Sequence, residues 1–209
     1  MNFFQSIDHY IFNFINQDMS NSLFDTIMPF FHKPNVISII FFLIICIIIF
    51  NKNLKQNFLN EKIRAYNISG VKILLCIILS VILSDQIGGT IKKLELRERP
   101  WVNKSIDQMN CLTCKVDKNN PNLYSKNIRS ANKSFPSNHA ANTFSLAIIV
   151  SFFLPKFKKI LFGLAFIISF SRIYIGVHYP FDIVFGIGLG ILSSYLVKLI
   201  FNLYIRKVN

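Results

Sequence analysis

The sequence is poor in acidic residues and in cysteine. It contains 10 aspartates and glutamates against 23 lysines and arginines, which gives a formal net charge of +13 at pH 7. No carboxylate cluster suited to a divalent cation is visible along the chain. Among the four cysteines, Cys111 and Cys114 form a single CxxC pair, whereas a zinc site normally needs four ligands. The sequence therefore offers no recognisable metal site.

The CxxC pair leaves two interpretations open. In an oxidising compartment it would form a local disulfide, and otherwise the two thiols are free and have no role. Cys46 and Cys76 lie inside apolar segments, where cysteine commonly serves as a small core residue.

A secretory signal peptide and internal repeats are also missing. The first residues have no basic region, and Asp8 interrupts their apolar pattern. We find no separate second domain and expect residues 1–209 to form a single domain.

Apolar residues are abundant instead. They make up 52% of the 209 residues, and 22 residues are phenylalanine. This content is too high for an ordinary soluble domain and is typical of a membrane protein. At about 20 residues for each span, the length predicts an all-α, polytopic membrane bundle of about five to six transmembrane helices.

Two short amphipathic helices are predicted within residues 1–33. Apolar residues recur there at helical spacing with polar residues between them, but neither segment is long enough to span a bilayer. We interpret both as helices that lie in the membrane interface. The alternative is that part of this region makes an additional span.

Five longer apolar segments follow, and each predicts a span. They cover about residues 34–50, 68–89, 139–154, 160–175 and 181–204. Loop 51–67, loop 155–159 and the C-terminus are short and basic, which places them on the cytoplasmic side by the positive-inside rule. The long polar loop 90–138 and the segment 172–182 then share the outer side.

The lysines lie mainly in loops between apolar segments, which favours the bilayer surface as their partner. Basic loops hold orientation and attract anionic headgroups. A basic chain can also bind nucleic acid, but this distribution argues against it, and we expect no nucleic-acid partner.

The first of three polar clusters follows the second apolar segment and reads KxxxxxxRP, from Lys92 to Pro100. If the helix continued, seven residues would be about two turns, and Lys92 and Arg99 would project from one face. Two cations on one face suit a phosphate. The alternative is a solvated basic edge.

The second cluster is Pro136-Ser137-Asn138-His139, directly before an apolar segment. Ser137 and the backbone N–H groups at a helix start form an anion site. His139 can transfer a proton near neutral pH. The alternative is a plain helix cap with an interfacial histidine.

The third cluster extends from Ser171 to Asp182. Asp182 follows His178 by four residues, so its carboxylate can reach one ring nitrogen and leave the other to attack a substrate. Arg172 adds a further cation. The alternative is an interfacial histidine with a chance acidic neighbour. His9 and His32 have no such neighbours, and we assign them no role.

Together the three clusters resemble the signature of the type-2 phosphatidic acid phosphatase superfamily. This group includes membrane lipid phosphatases and, on a related soluble helical core, vanadium haloperoxidases. The resemblance covers roughly residues 68–200. The matching positions are Lys92, Arg99, Pro100, Pro136, Ser137, His139, Ser171, Arg172, His178 and Asp182.

One position departs from this signature, because Asn138 stands where the family usually has glycine. Asparagine tolerates a left-handed backbone better than most residues. Its side chain would reach toward the phosphate or its leaving group, so we expect an effect on substrate preference.

The resemblance implies a role for each matched residue. His178 would attack phosphorus and form a phosphohistidine, Asp182 would hold His178, and His139 would protonate the departing oxygen and then activate water. The implied phosphate-binding residues are Lys92, Arg99, Ser137, Asn138 and Arg172. Since three cations can neutralise the phosphoryl charge, we expect metal-independent activity without a cofactor.

The membrane setting predicts the substrate class. A site at the outer edge of a helical bundle can accept a headgroup while the tail stays in lipid. Short bacterial members with two N-terminal helices resemble undecaprenyl-diphosphate phosphatases, which act at the extracytoplasmic face of the cytoplasmic membrane in cell-wall synthesis. Phosphatidylglycerophosphate, phosphatidic acid and lipid A phosphates are the alternatives.

Two other functional classes compete with a lipid phosphatase. A soluble haloperoxidase would not have five apolar spans. A non-catalytic transporter or channel could contain the same polar clusters by chance, and phosphate release from lipids separates it from an enzyme.

Overall fold

The computed structural model describes residues 3–32, 35–102, 109–112 and 133–208. Within these ranges the chain is helical, and its only extended pairing is an isolated antiparallel bridge between Glu98 and Lys133. The predicted all-α class is therefore confirmed.

Nine α-helices are present in the described ranges. In chain order they are α1 (Phe3–Asn13), α2 (Ser22–His32), α3 (Asn35–Phe50), α4 (Lys52–Phe58), α5 (Glu61–Arg64), α6 (Gly70–Lys92), α7 (Asn138–Phe153), α8 (Lys158–Tyr174) and α9 (Pro180–Val208). A π-helical turn, Phe14–Asp18, continues α1, and single 3₁₀ turns cover Pro100–Val102 and Pro155–Phe157.

Each of the five predicted apolar segments is helical, but the helices differ in length. Only α6 and α9, among the described residues, are long and apolar enough to cross a membrane by length and composition. Helices α3, α7 and α8 have 16, 16 and 17 residues. At 1.5 Å per residue they are about 24–26 Å long, shorter than a hydrocarbon core of about 30 Å. The prediction of five to six spans is thus not confirmed.

The predicted basic loop 51–67 contains two short helices, α4 and α5. Asn51 accepts hydrogen bonds from the backbone N–H groups of Asn53 and Leu54, and Asn60 accepts one from Lys62. Asparagine is a preferred helix N-cap because its side chain satisfies these donors. Asn51 and Asn60 therefore begin two short helices within the segment 51–67, where we expected a loop.

Helix α9 packs closely on α7 at two glycines. A Cβ atom added at Gly186 would lie 2.4 Å from the Ser137 carbonyl oxygen, and one added at Gly190 would lie 2.5 Å from that of Ala141. The two glycines are four residues apart and share one face of α9. They bring the second and third turns of α9 into close contact with the backbone at the start of α7.

Helix α1 buries one apolar and one acidic side chain, Phe12 and Asp8, against the protein. Asn16, in the π-helical turn that follows, is also fully buried, whereas Phe3, Phe4 and Tyr10 are 74%, 68% and 75% exposed. A charged side chain on the buried face of an amphipathic helix is unusual and needs a partner.

Asn16 fastens the N-terminal segment to the end of α8. Its Nδ2 group donates to the carbonyl oxygens of Asn110 and Tyr174, both at 2.7 Å, and its Oδ1 accepts from the Asn110 N–H at 2.9 Å. The buried amide thus has partners for both of its ends, as a buried polar group requires.

Candidate active site

Helix α6 ends at Lys92, and the chain then leaves the helical path. Glu95 has a φ of +52°, a left-handed conformation that stops a right-handed helix. The expectation that Lys92 and Arg99 share one helical face is therefore wrong. The extended segment that includes Glu98 and pairs with Lys133 positions Arg99 instead.

Arg99 reaches the third cluster from this segment. Its Nε donates to the Lys133 carbonyl at 3.2 Å, and its Nη1 lies 3.4 Å from the carbonyl oxygen of Val177, next to His178. Its guanidinium carbon is 4.8 Å from the ring centre of Trp101. Contacts with the Lys133 and Val177 carbonyls therefore hold Arg99 next to the third cluster.

The third cluster forms a tight turn between α8 and α9. Gly176 has a φ of +81°, which favours glycine because other residues are strained there. The backbone N–H groups of Val177 and His178 both donate to the Arg172 carbonyl, at 3.1 and 3.2 Å. This turn places the buried Arg172 and the buried His178 beside each other.

His178 and Asp182 interact as predicted. The Nδ1 atom of His178 is 3.4 Å from Oδ2 of Asp182, and both side chains are buried. The same oxygen accepts the backbone N–H of Tyr179 at 2.9 Å. Asp182 can therefore fix the imidazole with the proton on Nδ1 and the lone pair on Nε2.

The second cluster lies against the start of α9. Ser137 caps α7 by accepting from the Ala140 N–H at 3.4 Å, and its own N–H donates to the Asp182 carbonyl at 3.0 Å. His139 is exposed on the first turn of α7. The structure thus brings Ser137 to the third cluster, and the proton-transfer role of His139 remains a prediction.

The electrostatics around His178 suit a neutral imidazole. Burial has the largest effect, and the positive charges of Arg99, Lys92 and Arg172 add to it, so the pKa of His178 is held well below its ordinary value. Burial also lowers the pKa of Arg99 to about 10, which leaves that guanidinium charged at neutral pH. Three cations from three parts of the chain therefore act on one uncharged imidazole.

Asn138 has a different side-chain partner from the one we expected. Its Nδ2 group lies 3.2 Å from Oδ1 of Asp85 on α6, and Asn142 donates to the same oxygen at 2.8 Å. A Cβ atom at Gly88 would lie 2.7 Å from Oδ1 of Asn138. The Asn138 side chain therefore packs on α6, where its Nδ2 group donates to Asp85. The backbone N–H of Asn138 remains a predicted phosphate donor.

Sequence reasoning missed several residues that contact Asp182 or its neighbours. Arg97 lies between Asp182 and Asp8, and the buried Ser134 donates to the Glu98 carbonyl at 3.1 Å beside them. A signal existed for Asp8, which interrupts an apolar pattern. Arg97 stands two residues before Arg99 and carried no signal of its own.

The model of the PAP2 superfamily matches residues 70–206, which include all three polar clusters. The chain belongs to the PAP2 superfamily. The predicted resemblance is thereby confirmed for the part of the chain that contains the predicted site residues.

Three curated relatives of this PAP2 chain match shorter segments. The bacitracin transport permease protein BcrC of Bacillus licheniformis is 38% identical over 74 residues, 35% of this chain and 36% of that protein. The lipid A 4'-phosphatase of Bacteroides thetaiotaomicron is 44% identical over 64 residues, 30% of this chain and 28% of that protein. The undecaprenyl-diphosphatase of Sulfolobus acidocaldarius is 40% identical over 65 residues, 30% of this chain and 31% of that protein. The matches thus span about a third of the relatives' lengths.

A solved PAP2-like structure covers nearly the whole chain. The crystal structure of Aquifex aeolicus LpxE aligns with 92% of this chain and 94% of its own, with a TM-score of 0.65 and 24% sequence identity. At that identity the likeness supports the fold alone.

Two further sequence expectations for this PAP2 chain concern metal binding and the CxxC pair. Within the described ranges, no three histidine, cysteine, aspartate or glutamate side chains are grouped so that they could hold a metal ion. Metal independence stays a prediction. Cys111 is disulfide-bonded, and Cys114 lies outside the described residues.

Proposed function

We propose that this chain is an integral-membrane lipid phosphatase that hydrolyses a phosphate or diphosphate headgroup through a phosphohistidine. One observation carries the proposal. The buried imidazole of His178 is held by Asp182 and lies within the electrostatic influence of Lys92, Arg99 and Arg172.

This arrangement suits a phosphoryl group. Phosphoryl transfer depends on positioning and on stabilising charge that is spread over the phosphoryl oxygens. The three cations supply that charge, and the N-terminus of α7 adds Ser137 and backbone N–H groups. His178 is neutral, so its Nε2 lone pair is available for attack.

The proposed reaction has two steps. His178 Nε2 attacks phosphorus, the bond from phosphorus to the leaving oxygen breaks, and His139 gives its proton to that oxygen. His139 then takes a proton from water, the hydroxide oxygen bonds to phosphorus, and the phosphorus–nitrogen bond breaks. Phosphate leaves, and His178 is restored with its Nδ1–H still held by Asp182.

The membrane part of the proposal, a single-domain bundle of five spans, rests on exposed apolar faces. On α6, Val71, Leu75 and Ile82 are each more than half exposed, and α9 exposes Val184 and Phe185 to the same degree. Such surface on two adjacent helices fits contact with lipid.

The charge distribution favours a site on the outer side. Lys72 at the start of α6 donates to the Tyr204 hydroxyl at 2.6 Å, so the beginning of α6 lies beside the basic end of α9. Lys92 lies at the other end of α6, which is about 34 Å long at 1.5 Å per residue. The basic loops and the candidate site are thus at opposite ends of the bundle. By the positive-inside rule the site faces away from the cytoplasm of a bacterial cell.

Undecaprenyl diphosphate is the substrate we favour. The two helices α1 and α2 ahead of the matched region support it, and so does the relative named undecaprenyl-diphosphatase. Lipid A phosphates are the first alternative because of the relative named lipid A 4'-phosphatase, with phosphatidylglycerophosphate and phosphatidic acid as further alternatives. The permease name of the BcrC relative favours a transporter as the second candidate function.

The test is phosphate release by the purified protein from a panel of these four lipids. We expect release from at least one lipid, in chelator as well as in magnesium, and loss of both turnover and phosphoenzyme trapping in His178→Ala. Wild-type protein that releases no phosphate would favour the transporter. Activity that chelator abolishes and magnesium restores would contradict metal independence, and appreciable turnover by His178→Ala would remove His178 as the nucleophile.

A further inference from the structure

Helix α1 places a fully buried carboxylate beside the candidate site. Asp8 is 0% exposed, and its Oδ1 accepts the backbone N–H of Phe181 in the first turn of α9 at 2.9 Å. Its Oδ2 lies 2.5 Å from Nη1 of Arg97. An isolated buried carboxylate is costly, so this pairing is needed to keep Asp8 charged inside the fold.

Arg97 connects Asp8 to the carboxylate that holds the nucleophile. The same Nη1 atom lies 3.3 Å from Oδ1 of Asp182. The guanidinium carbon is 3.6 Å from the ring centre of Tyr179, a distance typical of a cation–π contact. His9 stacks on the same ring, with 5.1 Å between ring centres.

We propose that Asp8 and Arg97 are positioning residues for the phosphatase reaction: Asp8 fixes Arg97, and Arg97 fixes the Asp182 carboxylate that orients His178. This inference rests on the proposed function.

The argument starts from the two oxygens of Asp182. Oδ2 accepts the Tyr179 N–H at 2.9 Å and meets His178 Nδ1 at 3.4 Å. Oδ1 meets Arg97. The terminal torsion of aspartate has a broad energy well, so Arg97 restrains the carboxylate together with the Tyr179 N–H and the Ser134 side chain. If the Oδ1 contact is lost, the carboxylate stays near the imidazole but is less well oriented toward it.

Asp8 also balances the charge of Arg97. With both carboxylates present, the guanidinium is shared, and Asp182 keeps enough negative charge to support a positive charge on His178. Without Asp8, Arg97 would neutralise Asp182 more fully. Without Arg97, Asp182 would support the imidazolium more strongly. The two losses therefore act on His178 with opposite signs.

The inference makes α1 part of the catalytic unit. Asp8 lies outside residues 70–206, which carry the family match, and no spacing rule connects it to the three clusters. It reaches Asp182 only through the fold.

The experiment compares Asp8→Asn, Arg97→Lys and Arg97→Gln with the double variant Asp8→Asn, Arg97→Gln. Controls are Asp18→Asn and Lys93→Gln, because both side chains are exposed. Phosphate release from the best lipid of the panel gives kcat and KM, and thermal unfolding in detergent checks the fold. We expect kcat to fall by about tenfold to a hundredfold, the scale of a small misplacement of reacting groups. KM should change little, because the phosphate-binding residues are intact.

The pH profile of kcat/KM distinguishes positioning from a merely structural role. The groups that act on His178 are Lys92 from α6, Arg99, Arg172 from α8, Asp182 from α9 and the Ser134 carbonyl. We expect the acid limb to move to lower pH in Asp8→Asn and to higher pH in Arg97→Gln. Arg97→Lys keeps the charge and should lose rate with little movement of that limb.

Three results would overturn the inference. They are wild-type rate and pH profile in Asp8→Asn, a shift in the same direction in both single variants, or multiplicative losses in the double variant, which should instead match Arg97→Gln. If Arg97→Gln does not fold, Arg97→Lys with and without Asp8→Asn gives the same test of coupling. Wild-type protein without phosphate release would refute the proposed function, whereas an active wild type with an unaltered Asp8→Asn refutes only the positioning role.

Discussion

Replacing Gly186 by alanine tests how the second turn of α9 meets the start of α7. The added Cβ would lie 2.4 Å from the Ser137 carbonyl oxygen and 3.0 Å from the Ala140 Cβ. The first distance is 1.0 Å inside the 3.4 Å at which ordinary contacts begin. Because the obstacle is backbone, the two helices must move apart rather than a side chain rotate.

The expected cost follows from this geometry. Forcing an extra methyl group into a packed contact destabilises a protein by about 1–3 kcal/mol. Ser137 donates to the Asp182 carbonyl, so separation of the helices also shifts the candidate site. A displacement of about 1 Å can lower a rate by roughly a hundredfold. We therefore expect Gly186→Ala to lose both stability and phosphate release.

Two glycines on the same helix provide matched controls. Gly188→Ala has nothing within 4 Å of the new Cβ and should stabilise the helix by about 0.5–1 kcal/mol. Gly190→Ala meets the Ala141 carbonyl at 2.5 Å, one turn further from the site, and should lose stability with a smaller loss of rate.

The assay is thermal unfolding in detergent together with phosphate release for all three variants. If Gly186→Ala were as stable and as active as Gly188→Ala, the backbone contact between α7 and α9 would be refuted. If Gly190→Ala lost as much rate as Gly186→Ala at equal stability, the link from Ser137 to Asp182 would not explain the effect.

Two further predictions concern charge at the site. Lys92→Gln should lower kcat/KM by about a hundredfold or more, the usual cost of removing one group that stabilises transition-state charge. The control Lys93→Gln should retain activity because the Lys93 side chain is exposed. Equal losses in both variants would contradict a role for Lys92 in phosphate binding. Because burial and three cations lower the pKa of His178, the imidazole stays neutral as pH falls and becomes protonated only well below the ordinary value of about 6.5. After correction for substrate ionisation, the acid limb of kcat/KM should therefore lie well below the ordinary imidazole value, and an acid limb at or above that value would contradict this.

Local patterns predicted the features that depend on short spacing. The apolar segments became helices, and the four-residue interval from His178 to Asp182 placed their side chains in contact because the start of a helix brings such residues together. The order of the three clusters was enough to identify the family.

Features that depend on the path of the backbone could not be predicted from short sequence spacing. The helix expected from Lys92 to Arg99 is broken near Glu95, which has a left-handed backbone conformation. Glycine is the usual sequence signal for that conformation, and this position has a glutamate instead. The partners of Asp8 and Asn16 are at Arg97, Phe181, Asn110 and Tyr174. Contacts over such separations follow from the tertiary fold, and periodicity within one helix carries no information on them. The same holds for Asn138, whose partner Asp85 is on another helix.

The buried carboxylate of Asp8 restricts how α1 can sit. If α1 turned about its axis, Asp8 would leave Arg97 and the Phe181 N–H, and both charges would lose a partner that balances them. The pairing thus allows one rotational setting of α1, and it keeps the N-terminal segment aligned with the third cluster through side-chain contacts.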